Sequence, residues 1–428
     1  MRAVATAAIT LALAYTVLLF TLSRRRRVVP GAPSPDLFFV FVVPCCNEEV
    51  VIGQTLDRLL SSKVSGFRGF AVLVIDDGSE DATAEIVQQR DDPRIWLLSR
   101  RFPEARMGKG EALNAAYRHL RDSDRLAGHD PDDVVICVVD ADGRLESNAL
   151  FEVAPHFNDR KVGAVQVGVR MYNASENALA RMQDFEFVTF TEIFQRARQL
   201  VGSVGLGGNG QFARMSALVT LGDAPWTDCL TEDLDLGIQL LLGGWRNRFC
   251  PTTHVNQQAV TDIRRLLRQR ARWFQGHLQC WTRLPAILRS DLSVPTTLDL
   301  VQHLMSASLI LLLSFPMVVL YIAIGTAVFT APQQLGAALL SSHGLPLLFL
   351  YAFTFGVAPI YAYTYWLRTR EVSFFKALGF AHLYTVYSYM WIPAGWWALT
   401  RIVFRRRGWA KTVRTPEARV LAEDATAA

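Results

Sequence analysis

The chain has 428 residues, of which 51% are hydrophobic and 19% charged, a composition too apolar for an ordinary soluble protein of this length. The apolar residues gather at the two ends. The net charge of +5 comes largely from short arginine runs beside apolar segments, a pattern that suits an anionic membrane face rather than nucleic acid.

Residues 3–22 form an uncharged apolar run long enough to span a bilayer. Arginines at 24–27 follow, which favours an uncleaved anchor over a signal peptide and keeps the next segment in the cytoplasm. The chain then divides into an N-terminal transmembrane helix (1–23), a basic linker (24–35) with a Pro-rich stretch at 30–35, and a cytoplasmic domain (36–262). Amphipathic interface helices (263–298), a C-terminal transmembrane region (299–404) and a basic, partly disordered cytoplasmic tail (405–428) complete it.

Inside the domain, residues 37–43 are a continuous β-rich run closed by Pro44, the pattern of a strand buried on both faces. Asn47, Glu48 and Glu49 open a helical pattern over 50–60. Strands at 71–75, 94–98 and 134–139 alternate with helices at 79–89 and 111–119. This order predicts an α/β fold, a mostly parallel sheet with helices on both faces. Ligands of such sheets bind beyond the carboxyl ends of the strands. Asn47, Asp76-Asp77 and Asp140-Ala141-Asp142 all fall there.

Further on, 162–171 alternates as a strand, 178–199 is helical and 202–210 is a glycine-rich loop. A helix at 232–242 is stopped by Gly243-Gly244. Residues 263–284 are basic, aromatic and amphipathic, as befits a helix on a membrane surface. Segments 304–329 and 345–367 each suffice to span, and 374–404 is interrupted by Pro393 and Gly395. Three crossings would put the arginines of 405–414 outside, against the positive-inside rule. A break near Pro393, making a hairpin or re-entrant element, reconciles the two.

The six cysteines have no C-x-x-C spacing, and Cys45-Cys46 are adjacent, so reduced thiols beside a pocket are expected rather than a zinc site or a disulfide framework. Asp140 and Asp142, two residues apart at a strand end, point to one side in extended geometry and suit Mg²⁺ or Mn²⁺ against a diphosphate. An Asp-rich turn is the plainer alternative, and the register with Asp76-Asp77 argues against it. Asp77 suits a base or ribose, and Lys109, between two glycines, a uracil or a phosphate. Acidic residues after Thr231 are what a helix N-terminus prefers, which accounts for Glu232 and Asp235. Asp233 is the candidate catalytic base, because the triplet is accompanied by Gln269-x-x-Arg272-Trp273. Arg272 suits a leaving diphosphate and Trp273 a stacking floor for a sugar. The alternative is a polar pair snorkelling beside an aromatic-belt residue.

The ordered set Val43-Pro44 with Asn47-Glu48, Asp76-Asp77-Gly78-Ser79, Gly108-Lys109 to Asn114, Asp140-Ala141-Asp142, Thr231-Glu232-Asp233 and Gln269-x-x-Arg272-Trp273 resembles the membrane-embedded family 2 glycosyltransferases, the group of cellulose, chitin and hyaluronan synthases. The resemblance covers roughly residues 40–275. It implies a GT-A catalytic domain on transmembrane helices, with Pro44, Asn47, Glu48, Asp77 and Lys109 around the nucleotide. It further implies Asp140 and Asp142 on the diphosphate and metal, Asp233 as base, and Gln269, Arg272 and Trp273 lining the donor and acceptor sites. The chain departs from the large cellulose synthases in having fewer C-terminal spans and no C-terminal regulatory domain, so control by a cyclic dinucleotide is not implied. The segment 207–212 differs from the small-residue loop of relatives and leans towards glucan and mannan synthases.

The expectation is an inverting, metal-dependent transferase in the plasma membrane, multi-pass with its catalytic domain cytoplasmic. It takes a UDP-sugar, UDP-glucose or UDP-N-acetylglucosamine, and extends a β-linked polysaccharide processively, with accessory export subunits as possible partners and membrane lipids around it. Transfer of one sugar to a lipid acceptor is the alternative. A non-catalytic membrane scaffold with a degenerate nucleotide fold is the alternative of another class, and the complete acidic set argues against it.

Overall fold

The computed structural model describes residues 2–25 and 31–404; Arg26, Arg27, Pro30 and the whole 405–428 tail lie outside the described residues. Strands β1 (Phe38–Cys45), β2 (Gly69–Asp77), β3 (Ile95–Arg100), β4 (Val134–Val138), β5 (Arg144–Leu145), β6 (Val162–Met171), β7 (Gln211–Arg214) and β8 (Arg246–Gln257) form one eight-stranded sheet. Its order is β3-β2-β1-β4-β7-β6-β8-β5.

The first half is built as the periodicity predicts. β1 pairs in parallel with β2 and β4, and β2 with β3. Phe39, Phe41 and Val43 of β1 pack with Ile52 and Leu56 of helix Ile52–Leu60 on one face. Val40 and Val42 pack with Leu113, Ala116 and Tyr117 of helix Lys109–Asp122 on the other. A strand covered on both faces has no polar side to present, which is why its sequence reads as an unbroken apolar run.

The second half corrects the expectation of a mostly parallel sheet. β7 is antiparallel to both β4 and β6, and β5 is antiparallel to β8, so the sheet is mixed. The reversal follows from the chain's path: β7 leaves the glycine-rich loop at the ligand edge and so runs back across the sheet. Arg214 closes β7, donating from its buried guanidinium to the carbonyls of Val162 and Phe157 at 2.9 and 2.7 Å.

The helix expected at 178–199 is one continuous rod of three parts. It is α-helical over Ala178–Thr189, a π-helix over Phe190–Gln195 and α-helical again to Val201. The basic helix runs from Ile263 to Gln279 and is followed by a short turn and helix Leu284–Arg289, rather than continuing unbroken to Leu284. Arg264, Arg265 and Arg268 are on its exposed side, while Leu266, Arg270, Ala271 and Phe274 are buried.

Among the described residues one helix, Val294–Thr330, is long and apolar enough to cross a membrane. A second candidate is the pair Pro332–Ser341 and His343–Phe355, bent by 92°. The expected span at 345–367 is interrupted: one helix stops at Phe355 and the next, Ala358–Thr369, begins after Gly356 with Pro359 in its first turn. The 374–404 segment also breaks, at Tyr389-Met390, between helices Phe374–Ser388 and Trp391–Val403. The break expected near Pro393 is thus present just ahead of it, though Pro393 itself does not make it. The proline lies in the first turn of the second helix, where a missing amide hydrogen costs nothing. The N-terminal helix, Arg2–Ser23, packs Leu19 against Ile193 and Ala197 of the three-part rod, and Tyr15 donates to Asp299 of the long apolar helix.

Candidate active site

Pro44, Asn47, Glu48, Asp77, Lys109, Asp140, Asp142, Asp233, Gln269, Arg272 and Trp273 all border one cavity of about 910 Å³, whereas Asp76, Asn114 and Asp235 do not line it. Its polar half is made by strand ends. β1 delivers Pro44, Asn47 and Glu48, β2 delivers Asp77, and β4 delivers Asp140 and Asp142. Asn47 has a left-handed backbone (φ 56°). Its side-chain oxygen accepts from the Glu80 amide at 2.8 Å and its own amide donates to Ser79 Oγ at 3.0 Å, which ties the β1 and β2 ends together.

Asp77 is in a buried ion pair with Arg100, the last residue of β3, at 2.5 Å. Burial raises its pKa, against the bond from the Arg106 amide and the charge of Arg100. Arg106 also lines the cavity and donates to Gly78 O and Glu80. Neither arginine was signalled by a motif, since both sit in a segment without periodicity.

Lys109 Nζ lies 2.5 Å from Asp140 Oδ1 and 2.6 Å from Gly208 O, so it bridges the β4 turn to the glycine loop rather than projecting freely. Burial works to lower its pKa, but Asp140, Glu232 and Asp233 outweigh it and hold the ammonium more firmly charged. Asp142 is 6% exposed and accepts from the Gln258 amide at 3.4 Å. Among the described residues no group of three or more His, Cys, Asp or Glu forms a ready-made cage. Two carboxylates at the cavity wall still fit Mg²⁺ or Mn²⁺, hard cations that take one or two protein carboxylates and complete their shell with phosphate and water.

The acidic triplet opens helix Glu232–Leu242, but Thr231 makes no side-chain capping bond. Asp235 is structural: Arg283 grips both its oxygens at 2.7 and 2.8 Å. Asp233 Oδ1 accepts from the Leu234 amide at 2.8 Å. Its other oxygen faces Gly208, where an added Cβ would lie 3.2 Å from both Asp233 Oδ2 and Lys109 Nζ. The loop's glycine is thus a matter of clearance at the carboxylate.

Burial pushes Glu232 up to about 7, with the neighbouring Asp233 charge adding to it. Burial likewise raises Asp233, opposed by the Leu234 amide and Lys109. Both carboxyls therefore hold their protons to higher pH in the folded chain than in the unfolded one. Their contribution to stability is greatest in acid and is lost as pH rises through the raised values, for Glu232 about 7. If an ionised Asp233 is required for turnover, kcat/KM should rise with pH on an acid limb above the ordinary carboxylate value of 3.8. The midpoint belongs to the pair rather than to either group. A pH–rate profile checks this, and a limb near 4 would count against it.

The triplet and the Gln269-x-x-Arg272-Trp273 stretch belong together for a packing reason. Gly276, one turn beyond Trp273, lies against Thr231, where an added Cβ would be 2.6 Å from the Thr231 amide nitrogen. Gln279 Oε1 accepts from the Leu230 amide at 2.9 Å. Gly276→Ala is expected to cost about 1–3 kcal/mol by overpacking and to weaken activity beyond that by displacing the triplet. Thermal unfolding beside turnover would measure both, and an unchanged pair of values would remove this contact from the design.

The cavity continues past Arg272 and Trp273 into an aromatic and apolar half. Phe190 and Phe194 come from the π-helical segment, Ile310 from the long apolar helix, and Tyr361, Tyr384 and Trp391 from the C-terminal helices. Sequence reasoning named none of these, because each belongs to a pattern that reads simply as helix or membrane.

Residues 35–276 match the family described as Glycosyltransferase like family 2. Beta-monoglucosyldiacylglycerol synthase of Trichormus variabilis is 31% identical over 277 residues, 63% of this chain and 55% of that protein. Poly-beta-1,6-N-acetyl-D-glucosamine synthase of Staphylococcus aureus (strain COL) is 29% identical over 239 residues, 55% of this chain and 53% of that one. The chain spans about half the length of these curated relatives. In fold it is similar to the mannosyltransferase PcManGT from Pyrobaculum calidifontis, solved with GDP-Man and Mn2+, with a TM-score of 0.59, 20% identity and coverage of 91% of this chain and 99% of that one. With its ordered carboxylates on the strand ends of a GT-A-like sheet and more than half its length matched, the chain belongs to the glycosyltransferase-like family 2.

Proposed function

We propose that the protein transfers a sugar with inversion from a UDP-sugar, UDP-glucose or UDP-N-acetylglucosamine, to an acceptor hydroxyl presented at the membrane face. The observation that carries this reading is that one cavity joins a carboxylate-lined end, with Asp233 beside Lys109 and Gly208, to an aromatic end. Asp77 and Lys109 bind the nucleotide part of the donor. Asp140 and Asp142 hold Mg²⁺ or Mn²⁺, which when bound neutralises charge on the diphosphate. Asp233 removes the acceptor proton as the hydroxyl attacks the anomeric carbon, Arg272 faces the departing diphosphate, and Gln269 and Trp273 border the acceptor.

Two products are consistent with this chemistry. Extension of a β-linked polysaccharide, coupled to secretion with accessory export subunits, accords with an aromatic exit path that sugars can stack along. Transfer of a single sugar to a lipid is favoured by the apolar residues Ala307 and Ile310 at the far end and by the lipid glucosyltransferase among the relatives. Reconstituted protein given UDP-sugars, Mg²⁺ or Mn²⁺ and either diacylglycerol or a short β-glucan, followed by product sizing, separates them. No turnover of any nucleotide sugar would sink both.

We place the protein in the plasma membrane with more than one crossing, and residues 36–290 on the cytoplasmic side. A cysteine put at exposed Ala127 should resist an impermeant thiol reagent in intact cells and react after lysis, measured against the wild-type background. Labelling in intact cells would overturn the orientation.

A further inference from the structure

Arg270 lies inside the Gln269–Trp273 stretch, yet nothing in the motif reading gave it a task. It is 2% exposed, and a buried guanidinium persists only with partners. Its charge meets the Glu186 carboxylate at 2.5 Å, and it donates to the Tyr387 hydroxyl at 3.1 Å. The guanidinium carbon also lies 4.4 Å from the centroid of Trp273 and 5.0 Å from that of Trp391. Glu186 is fixed in turn by the Tyr387 hydroxyl at 3.0 Å and Trp391 Nε1 at 3.2 Å.

Trp273 is therefore held on two sides. Arg270 covers one face of the indole, and Phe187 meets the ring at 86° with centroids 6.1 Å apart. A ring covered on one face offers the other to the cavity it borders. A guanidinium plane suits this task because it stacks and pairs at once, which an ammonium does not.

We infer that Arg270 is a positioning residue for the acceptor. It sets the plane of Trp273 and, through Glu186, Tyr387 and Trp391, locks that plane to helices Phe374–Ser388 and Trp391–Val403. The inference rests on the proposed role of Trp273 as the floor on which the acceptor stacks. It extends that role by making the floor's geometry a property of the C-terminal helices.

The test uses the full-length protein in lipid nanodiscs, with UDP-glucose as donor and diacylglycerol or a short β-glucan as acceptor probe. Arg270→Lys keeps the charge on Glu186 and loses the stacked plane. It should raise the acceptor KM by ~10-fold, with UDP affinity held within ~2-fold of wild type. Tyr387→Phe, which removes one hydroxyl outside the cavity wall, should shift KM in the same direction by less. Unchanged KM in both variants, or a loss of UDP affinity equal to the change in KM, overturns the inference. If Arg270→Lys fails to fold, Tyr387→Phe decides alone on the same criterion. Trp273→Ala separates the two levels. A normal acceptor KM there removes the stacking floor itself, whereas a raised KM beside normal Arg270→Lys and Tyr387→Phe removes only the positioning role.

Discussion

Asp233→Asn is expected to keep the fold and the affinity for UDP while turnover falls ~10²–10⁴-fold, the usual share of general acid–base catalysis. The competing role is structural, and the geometry gives it some substance, since Asp233 Oδ1 accepts from the Leu234 amide. Asparagine preserves that bond through its own carbonyl oxygen. A purely structural Asp233 would then lose about 1 kcal/mol of stability or less and retain most activity. What asparagine cannot supply is the proton acceptor at the second oxygen, the one facing Gly208 and Lys109. Glu232→Gln is the control, a neighbouring buried carboxyl that is also raised in pKa. It should impair turnover less. Near-normal product formation by Asp233→Asn, at matched expression and UDP affinity, would take this residue out of the chemistry.

Asp142→Asn is expected to abolish detectable transfer and to weaken UDP binding only when Mn²⁺ or Mg²⁺ is present. Asp142 is buried at the β4 turn, and the bond it accepts from the Gln258 amide would be kept by an asparagine oxygen. The substitution therefore removes negative charge with little change of shape. Asp140 and Asp142 share the β4 turn, so a divalent cation held between them should lose affinity when either carboxylate is neutralised. Calorimetric UDP titrations with and without chelator make the comparison. An equal loss of affinity in chelator would mean that Asp142 acts on the nucleotide directly.

The polar half of the cavity was legible in the sequence because strand ends advertise themselves. Apolar runs buried on both faces stop abruptly at Pro44, Asp76 and Asp140, and the periodicity alone lines those stops along one edge. The antiparallel turn of the sheet was not legible. β7 has only four residues and contains a buried arginine, while β8 carries Asn, Thr, His and Gln and a proline, so neither has an apolar rhythm. Arg100, Arg106 and Arg270 were invisible for a related reason: each acts through a partner distant in the chain, Asp77, Gly78 or Glu186. The break near Pro393 was legible from its proline and glycine, but the one at Gly356 escaped because hydropathy measures the solvent a segment prefers and not its straightness. Gly356 sits inside a run that remains apolar throughout.

The cavity's two ends are written in different parts of the chain, and that separation bears on how such a protein can diverge. The donor end draws on positions from Pro44 to Asp142, on strand ends and on the start of helix Lys109–Asp122, while much of the far end is drawn from Phe190 onward and from helices beyond residue 294. Sequence drift at Phe190, Phe194, Ile310, Tyr361 or Tyr384 can reshape what the far end admits without disturbing a single strand end. On the proposed reading, descendants of one ancestral chain could keep a nucleotide sugar and exchange its destination, and the exchange would be recorded in the least polar and least motif-like segments of the sequence.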